Sequence, residues 1–391
     1  MIGIIADDLT GAAELGAVGL RHGLRAEVLV QGQPGGRADV VCVDTDSRAC
    51  SPDEAGRRAA AAVDVLIAGQ AEWIYKKTDS VLRGPVLAEL EAILQRLGLK
   101  QALLVPANPS LGRVIRDGQY FIRGKPVSET QFKDDPSHPR TSPEVRRMLG
   151  PPMVLPIHVS KTCDPLPESG IVVGEAQSKG DLQRWAVRLN PRMLGAGGAE
   201  FFGALLEATG HAVQAVAPSK AAQRAALREL FVCGTTTQTA RSFLRASQRQ
   251  GVPVFSMPKE LMRGAVLSRG AMETIARQAI AALQTHGRII LNIGLPLVQD
   301  RTVSQRFAEH LTQVAAIVLR DAGVGHVYAE GGATAVDLVR RMGWARLTVL
   351  RELAPGVATL RVEAAGPLLL TIKPGSYLWP DEVRRHALKT G

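Results

Sequence analysis

IGIIADDLTGAAELG, residues 2–16, starts with an apolar run, halts at two adjacent aspartates and passes through Thr-Gly into an alanine-rich stretch. The run reads as a buried strand and the stretch after it as a helix. Working outward, the pattern repeats. AEVLVQ (26–31), DVVCVD (39–44), WIYKKT (73–78) and ALLVPA (102–107) have strand character, with helical periods at 11–23, 52–69 and 84–98. Strands separated by one helix each imply parallel pairing through right-handed crossovers.

Residues 108–169 interrupt this rhythm with many Pro, Gly and Asp residues. GQYFIRGKPV (118–127) reads as a hairpin and 128–143 as a long ordered loop of the kind that binds ligands. The alternation resumes with strands MVLPIHV (153–159) and GIVVGEA (170–176) and a helix at 181–189. GAGGAEFF (195–202) has neither GxGxxG spacing nor a convincing strand before it. A second domain is expected after the Ala/Lys/Gln/Arg-rich segment 212–228. It comprises strands at 229–234, 252–257, 288–294 and 326–332, with helices at 237–250, 268–285, 304–322 and 333–342. The tail (LTVLREL, VATLRVE, PLLLTIK) has strand pattern without helices and is expected to close the sheet with antiparallel strands. The predicted fold class is α/β. Two domains, 1–215 and 226–391, each carry a mostly parallel sheet flanked by helices, with an added antiparallel region in the second.

A chain of 391 residues suits two domains. Aromatics make up only 4%, so the core must be built from Ala, Val, Leu and Ile, as in layered α/β proteins. Lys and Arg total 47 against 37 Asp and Glu, a balance of +10 that favours an anionic ligand. The basic residues are scattered without a dense run or aromatic interleaving, which argues against nucleic acid. Cys42, Cys50, Cys163 and Cys233 form no CxxC pair and no Cys/His metal spacing, and for the three that lie in or beside apolar strands a buried free thiol is expected. No stretch approaches 18 uninterrupted apolar residues, and the N-terminus has no basic leader. A soluble cytoplasmic protein is the expectation.

In parallel α/β sheets ligands bind beyond the carboxyl ends of strands. There the first strand presents Asp7, Asp8 and Thr10. One aspartate can cap the following helix; two suggest a metal, a general base or sugar hydroxyls to be held. The fourth strand runs into Lys76, Lys77, Asp79, Ser80 and Arg83, ahead of a helix beginning near Pro85. Arginine and lysine could grip a carboxylate there, and Asp79 could accept from a sugar hydroxyl. PANPSLGRVIRDGQY (106–120) and DDPSHP follow, the latter with Asp134, Asp135 and His138. This loop lacks metal-ligand spacing; His138 is a structural hydrogen-bonding group or a substrate contact. In the second half CGTTTQTA (233–240), EGGATA (330–335) and KPGSY (373–377) are glycine or hydroxyl turns suited to phosphate. GQYFIRGKP is one residue too long for a P-loop, and GxSxG and HExxH are absent.

These motifs resemble the four-carbon acid sugar kinase family. ADDLTGA (6–12), KKTDSVLRG (76–84) with AEL (88–90), and PANPSLGRVIRDGQY with DDPSHP look like its sugar-acid-binding domain. GTTTQTA (234–240), EGGATA, PGVATL (355–360) and LTIKPGSY (370–377) look like its nucleotide-binding domain, in the family's order. The resemblance implies ATP-dependent phosphorylation of the terminal hydroxyl of a tetronate, with Mg²⁺ on the phosphates. Asp7 and Asp8 would supply the base and, with Thr10, Lys77, Asp79, Ser80, Arg83, Asp135 and His138, face the acid. Thr235, Thr237, Gly331, Gly332, Ala333, Thr334 and Gly375 would lie at the ATP. The expected partners are therefore the small acid and ATP, with no nucleic acid or membrane and with a homodimer as an option. The chain departs from the family pattern in reading GTTT for Gly-Ser-x-Ser, GGAT for GG-Asp/Glu-Thr, VVGEA for a Val-Asp-Ala pattern, and GAGGAEF for Gly-Ser-Ala-Gly-Leu. Ala333 keeps a second reading open, a sugar-acid sensor of the same shape without turnover. A hydroxy-acid oxidoreductase is a third reading, and the nicotinamide fingerprint it requires is absent.

Overall fold

Ile2–Ala6 (β1) is buried at every residue and delivers the chain straight to Leu9–Arg21 (α1), in the computed structural model, which describes residues 1–135, 138–214, 228–263, 265–294, 301–375 and 377–385. Asp8 caps α1, its carboxylate accepting from the Gly11 amide at 2.8 Å. The remaining parallel strands of the first unit are Ala26–Leu29 (β2), Val40–Asp44 (β3), Trp73–Lys77 (β4) and Gln101–Val105 (β5). Ile157–Ser160, Gly170–Gly174 and Met193–Gly197 complete the set. Pro52–Ala68 (α2) and Val86–Leu97 (α3) cross over between them. α2 carries its own start signals: a Ser51 cap, Pro52, then Asp53 and Glu54 in the first turn.

The chain divides into two compact units, Met1–Val216 and Ala217–Gly391. In the first, the strand order is β2, β3, β1, β4, 193–197, β5, 170–174, 157–160, with parallel pairing throughout. β1 therefore separates β2 and β3 from all later strands. That reversal is the switch point at which α/β sheets open a crevice. The expected parallel alternation is observed. Aliphatic side chains dominate the core under α2 and α3, among them Ile5, Val41, Val63, Leu66, Leu90 and Leu104. Fully burying each contributes about 1.5–3 kcal/mol.

Several sequence expectations need correction. GAGGAEFF does follow a strand: Met193–Gly197 is fully buried and inserts between β4 and β5, and glycines replaced the β-branched residues that signal strands. MVLPIHV is strand only from Ile157, because Pro156 interrupts the run. The hairpin begins earlier than expected, at Arg113–Arg116 (β6), and pairs with Gln119–Ile122 and Lys125–Pro126 as a small antiparallel sheet. The helix expected at 181–189 runs Lys179–Ala186, set two residues early by a Ser178/Asp181 capping box. The segment 212–228 lies, apart from 212–214 and 228, outside the described residues. Cys42 and Cys233 are buried free thiols, but Cys50 is half-buried and Cys163 exposed.

The second unit orders its strands Val254–Ser256, Arg288–Asn292, Glu229–Cys233, His326–Glu330, Leu369–Lys373, Val357–Val362, Arg346–Ala354. The first five pair in parallel. The three tail strands pair antiparallel to one another as expected, and the last, 369–373, joins the sheet by running parallel to 326–330 on its other side. Its carboxyl end, Lys373, thereby lies beside that of Glu330. Helices Gln238–Arg249 and Gly332–Arg341 start directly beyond the strands ending at Cys233 and Glu330. A rare aromatic cluster fills the core here: Phe231 stacks on Tyr328 at 4.3 Å, with Trp379 edge-on to both.

Candidate functional site

In the first unit the exits of β1, β3 and β4 are stitched together by an arginine that sequence reasoning missed. The loop after β3 folds back on β1, with the Ser47 amide donating to the Asp7 carbonyl at 3.0 Å. This aims Arg48 at both aspartates. Its Nε and Nη2 donate to the two oxygens of Asp7 at 2.6 and 3.0 Å, and its Nη1 donates to Asp8 Oδ2 at 2.8 Å. The repulsion between adjacent carboxylates is thus offset by one guanidinium. The Asp7 side chain is 2% exposed and that of Asp8 17%. Burial would push the Asp7 carboxyl up, but Arg48 outweighs it and holds the group below the ordinary range. Thr10 donates its hydroxyl to Asp8. The signal for Arg48 was its place, four residues past a strand end, in a loop without another ligand-like motif.

The β4 exit is as strongly paired. Lys76 is buried against Glu89 at 2.9 Å, and Ser47 donates to the same carboxylate. Lys77 reaches Glu14 at 3.1 Å. Burial alone would lower its pKa, but Glu14 and the nearby aspartates raise it. Asp79 accepts from the Val81 and Arg83 amides and, bidentately, from the Arg83 guanidinium at 3.0 and 2.7 Å. Against the burial that opposes its charge, Arg83 and Arg48 hold Asp79 well below the usual range. The remaining Arg83 nitrogen donates to Asp135 at 3.1 Å, and Asp135 accepts from the His138 amide at 2.9 Å. Burial, then Arg140, lowers the His138 pKa. Ser80 accepts from Arg113.

The β4 loop holds a buried leucine, Leu82, at φ +60°, a left-handed conformation that side chains disfavour. Buried Arg140 clamps it by donating to the Leu82 carbonyl. Strain of this kind is kept where the surroundings over-determine the backbone, often at ligand sites. The structure thus brings Asp7, Asp8, Thr10, Lys77, Asp79, Ser80, Arg83, Asp135 and His138 to one edge. It commits Asp79 and Arg83 to each other.

In the second unit three adjacent parallel strands end in the three loops singled out. The Thr235 hydroxyl donates to Glu330 at 2.6 Å, and Lys373 lies 3.3 Å from the other carboxylate oxygen. Glu330 and Lys373 are fully buried. Thr237 caps helix 238–249 and donates to the Gly375 carbonyl at 3.1 Å. Gly331 adopts φ +99° and caps helix 332–341 without a side chain, so the amides of its first turn, at Gly332, Ala333 and Thr334, are not covered by a cap. Ala333 is exposed there, and Thr334 is buried behind it. A Cβ at Gly234 would lie 1.6 Å from Thr334 Oγ1, so only glycine lets these loops meet. Uncovered amides at a helix start, hydroxyls and glycine turns are groups that could receive a phosphate. Glu330 and Lys373, which open two of these motifs but were not themselves expected at the ATP, pair with each other in the buried layer beneath.

A parallel-sheet unit with a paired Asp/Arg cluster at its switch point is thus followed by one whose strand ends carry glycine and hydroxyl turns. Residues 2–205 match the model of a sugar-binding N-terminal domain and 230–377 that of a nucleotide-binding C-terminal domain. The chain belongs to the four-carbon acid sugar kinase family. Among its relatives, a D-threonate kinase of Salmonella typhimurium is 33% identical over 158 residues, 40% of this chain and 37% of that one. A D-erythronate kinase of Heliobacterium modesticaldum is 37% identical over 35% of this chain and 32% of that one. The matches thus span about a third of the length of these relatives. A 3-oxo-tetronate kinase of Methylobacterium radiotolerans is 25% identical over 96% of both chains. Crystal structures of a Salmonella typhimurium LT2 protein called a tRNA synthase and of a Haemophilus influenzae protein superpose with TM-scores of 0.79 and 0.73. The first covers 99% of this chain and 98% of that one, and the second 98% of each. At 17% and 18% identity they show the fold alone. Among the described residues no helix is long and apolar enough to cross a membrane, and no group of three or more His, Cys, Asp or Glu could hold a metal.

Proposed function

We propose that this chain is an ATP-dependent kinase that phosphorylates the terminal hydroxyl of a four-carbon sugar acid. The observation that carries the proposal is the pairing of two sites on one chain: an Asp/Arg/Ser cleft in the sugar-binding unit and a glycine cradle in the nucleotide-binding unit. Relatives named as threonate, erythronate and 3-oxo-tetronate kinases support the acceptor class.

In the transfer the acceptor oxygen attacks the γ-phosphorus, the bond to the β–γ bridging oxygen breaks, and the acceptor proton goes to a base. Asp8 is that base, since its side chain keeps 17% exposure whereas that of Asp7, under Arg48, keeps 2%. Asp7 acts as the positioning residue that fixes the guanidinium beside Asp8. The amides of residues 332–334 and the hydroxyl turn at Thr235–Thr237 receive the phosphates. With one buried carboxylate, Glu330, in the cradle, the residues fit Mg²⁺ carried in on the phosphates rather than caged by protein. When bound, Mg²⁺ supplies charge that the loops lack.

The test is coupled ADP release across C4 and a few C5 sugar acids. Turnover with one or more tetronates is expected. Binding of a tetronate without ADP release from any of them would overturn the proposal in favour of a sensor.

A further inference from the structure

Charge pairing in the sugar-binding unit leaves a problem for an anionic substrate. Three of its cations are already paired: Arg48 is bound by Asp7 and Asp8, Arg83 by Asp79 and Asp135, and Lys77 by Glu14. A sugar acid would have to break an ion pair to gain any of these three. Arg113, half-buried at the same edge, has no carboxylate within ion-pair distance among the described residues. Arg140 also lacks an acidic partner but is buried, donating to the carbonyls of Leu82 and Met148.

Arg113 is built in rather than a stray surface side chain. Its backbone pairs with Asn108, with Asn108 N donating to the Arg113 carbonyl at 2.9 Å and Arg113 N to the Asn108 carbonyl at 3.1 Å. Asn108 is itself buried and follows the carboxyl end of β5. This bridge holds β6 against the crevice. From there Arg113 Nη1 donates to Ser80 Oγ on the β4 loop. Its guanidinium carbon lies 5.9 Å from the Phe132 ring centroid, with Arg83 at 5.8 Å from the same ring. The ring keeps the two arginines side by side, one neutralised by two aspartates and the other not.

We infer that Arg113 receives the substrate's carboxylate, with Ser80 beside it, and is the residue that makes the site select an acid over a neutral polyol. Arg83 holds the loop through Asp79 and Asp135 and does not grip the substrate. A guanidinium whose charge is not already compensated gains a full charge-assisted pair with a carboxylate, whereas a paired one must first lose its own.

This inference rests on the kinase reading, and the test separates the two. KM and kcat for the best tetronate and for ATP are measured for the wild type, Arg113→Ala and Arg113→Lys. Calorimetry compares binding of the tetronate with that of its neutral primary amide. Arg113→Ala should raise the tetronate KM by about tenfold or more with the ATP KM unchanged. It should also abolish the preference for acid over amide, and Arg113→Lys should restore part of that preference. A merely structural role would weaken acid and amide alike, which would overturn the inference. So would an unchanged tetronate KM in an active variant, leaving the kinase reading intact. A wild type that releases ADP with no tetronate would overturn both.

Discussion

Arg48→Met tests whether one guanidinium holds the carboxylates of the first strand together. The substitution keeps much of the side-chain volume but removes hydrogen bonds of 2.6 and 3.0 Å to Asp7. Asp7 remains 1% exposed, so its charge loses its partner without regaining water. Breaking a buried pair from one side costs about 3–5 kcal/mol. Without Arg48, burial dominates and lifts the folded Asp7 pKa above its unfolded value. The sign of the pH dependence then inverts. In the wild type the folded pKa is depressed, so the contribution is complete above the unfolded pKa and is lost as pH falls through the folded one. In the variant the penalty is absent below the unfolded pKa and grows as pH rises towards the raised folded value. The deficit relative to wild type should therefore grow between pH 5 and pH 8, reaching about 3–5 kcal/mol at pH 8. Urea unfolding of the full chain at both pH values measures it, with hydrogen exchange of the β1 segment assigning the transition. Adding Asp7→Asn should flatten the pH dependence. A deficit below about 1 kcal/mol, the size of an exposed ion pair, or one equal at both pH values would refute the reasoning.

Other outcomes follow from the same geometry. Asp8→Asn should lower kcat about 10²-fold or more with little change in KM, and Asp7→Asn should act mainly on KM; equal kcat losses in steady-state assays would remove the distinction between base and positioning residue. Gly234→Ala sets a Cβ 1.6 Å from Thr334 Oγ1 and should weaken ATP binding by roughly tenfold or more with tetronate affinity retained, as read by calorimetry. Arg83→Ala deprives Asp79 of two charged hydrogen bonds and should cost about 1.5–3 kcal/mol in urea unfolding; an unaltered midpoint would show that the pair is not structural.

Much of the fold was legible because burial on both faces of a parallel sheet writes itself as short apolar runs, and crossovers as helical periods. IGIIA, VVCVD and QALLV each read correctly for that reason. MLGAG did not, because a strand built of glycine and alanine lets neighbours approach closely and so drops the residues that mark strands. The last strand of the tail, LLTIK, has the pattern of any buried strand. Its parallel partner 326–330 is distant in sequence, so its direction was not readable.

The sequence by itself determined the loops at which ligands would be sought, since a carboxylate or glycine at a strand end has little to do with folding. ADDLT, KKTDSVLR, GTTT and EGGAT were all found this way. Only the tertiary structure decided how the charges in those loops are shared. Asp8 caps the helix, Asp7 is held by Arg48 from the next strand but one, Arg83 is bound by Asp79, and Glu330 sits on Lys373. Ion pairing depends on separation in space, and partners such as Asp7 and Arg48 lie 41 residues apart in the chain. Composition counts the charges; the fold determines which of them remain available to a ligand.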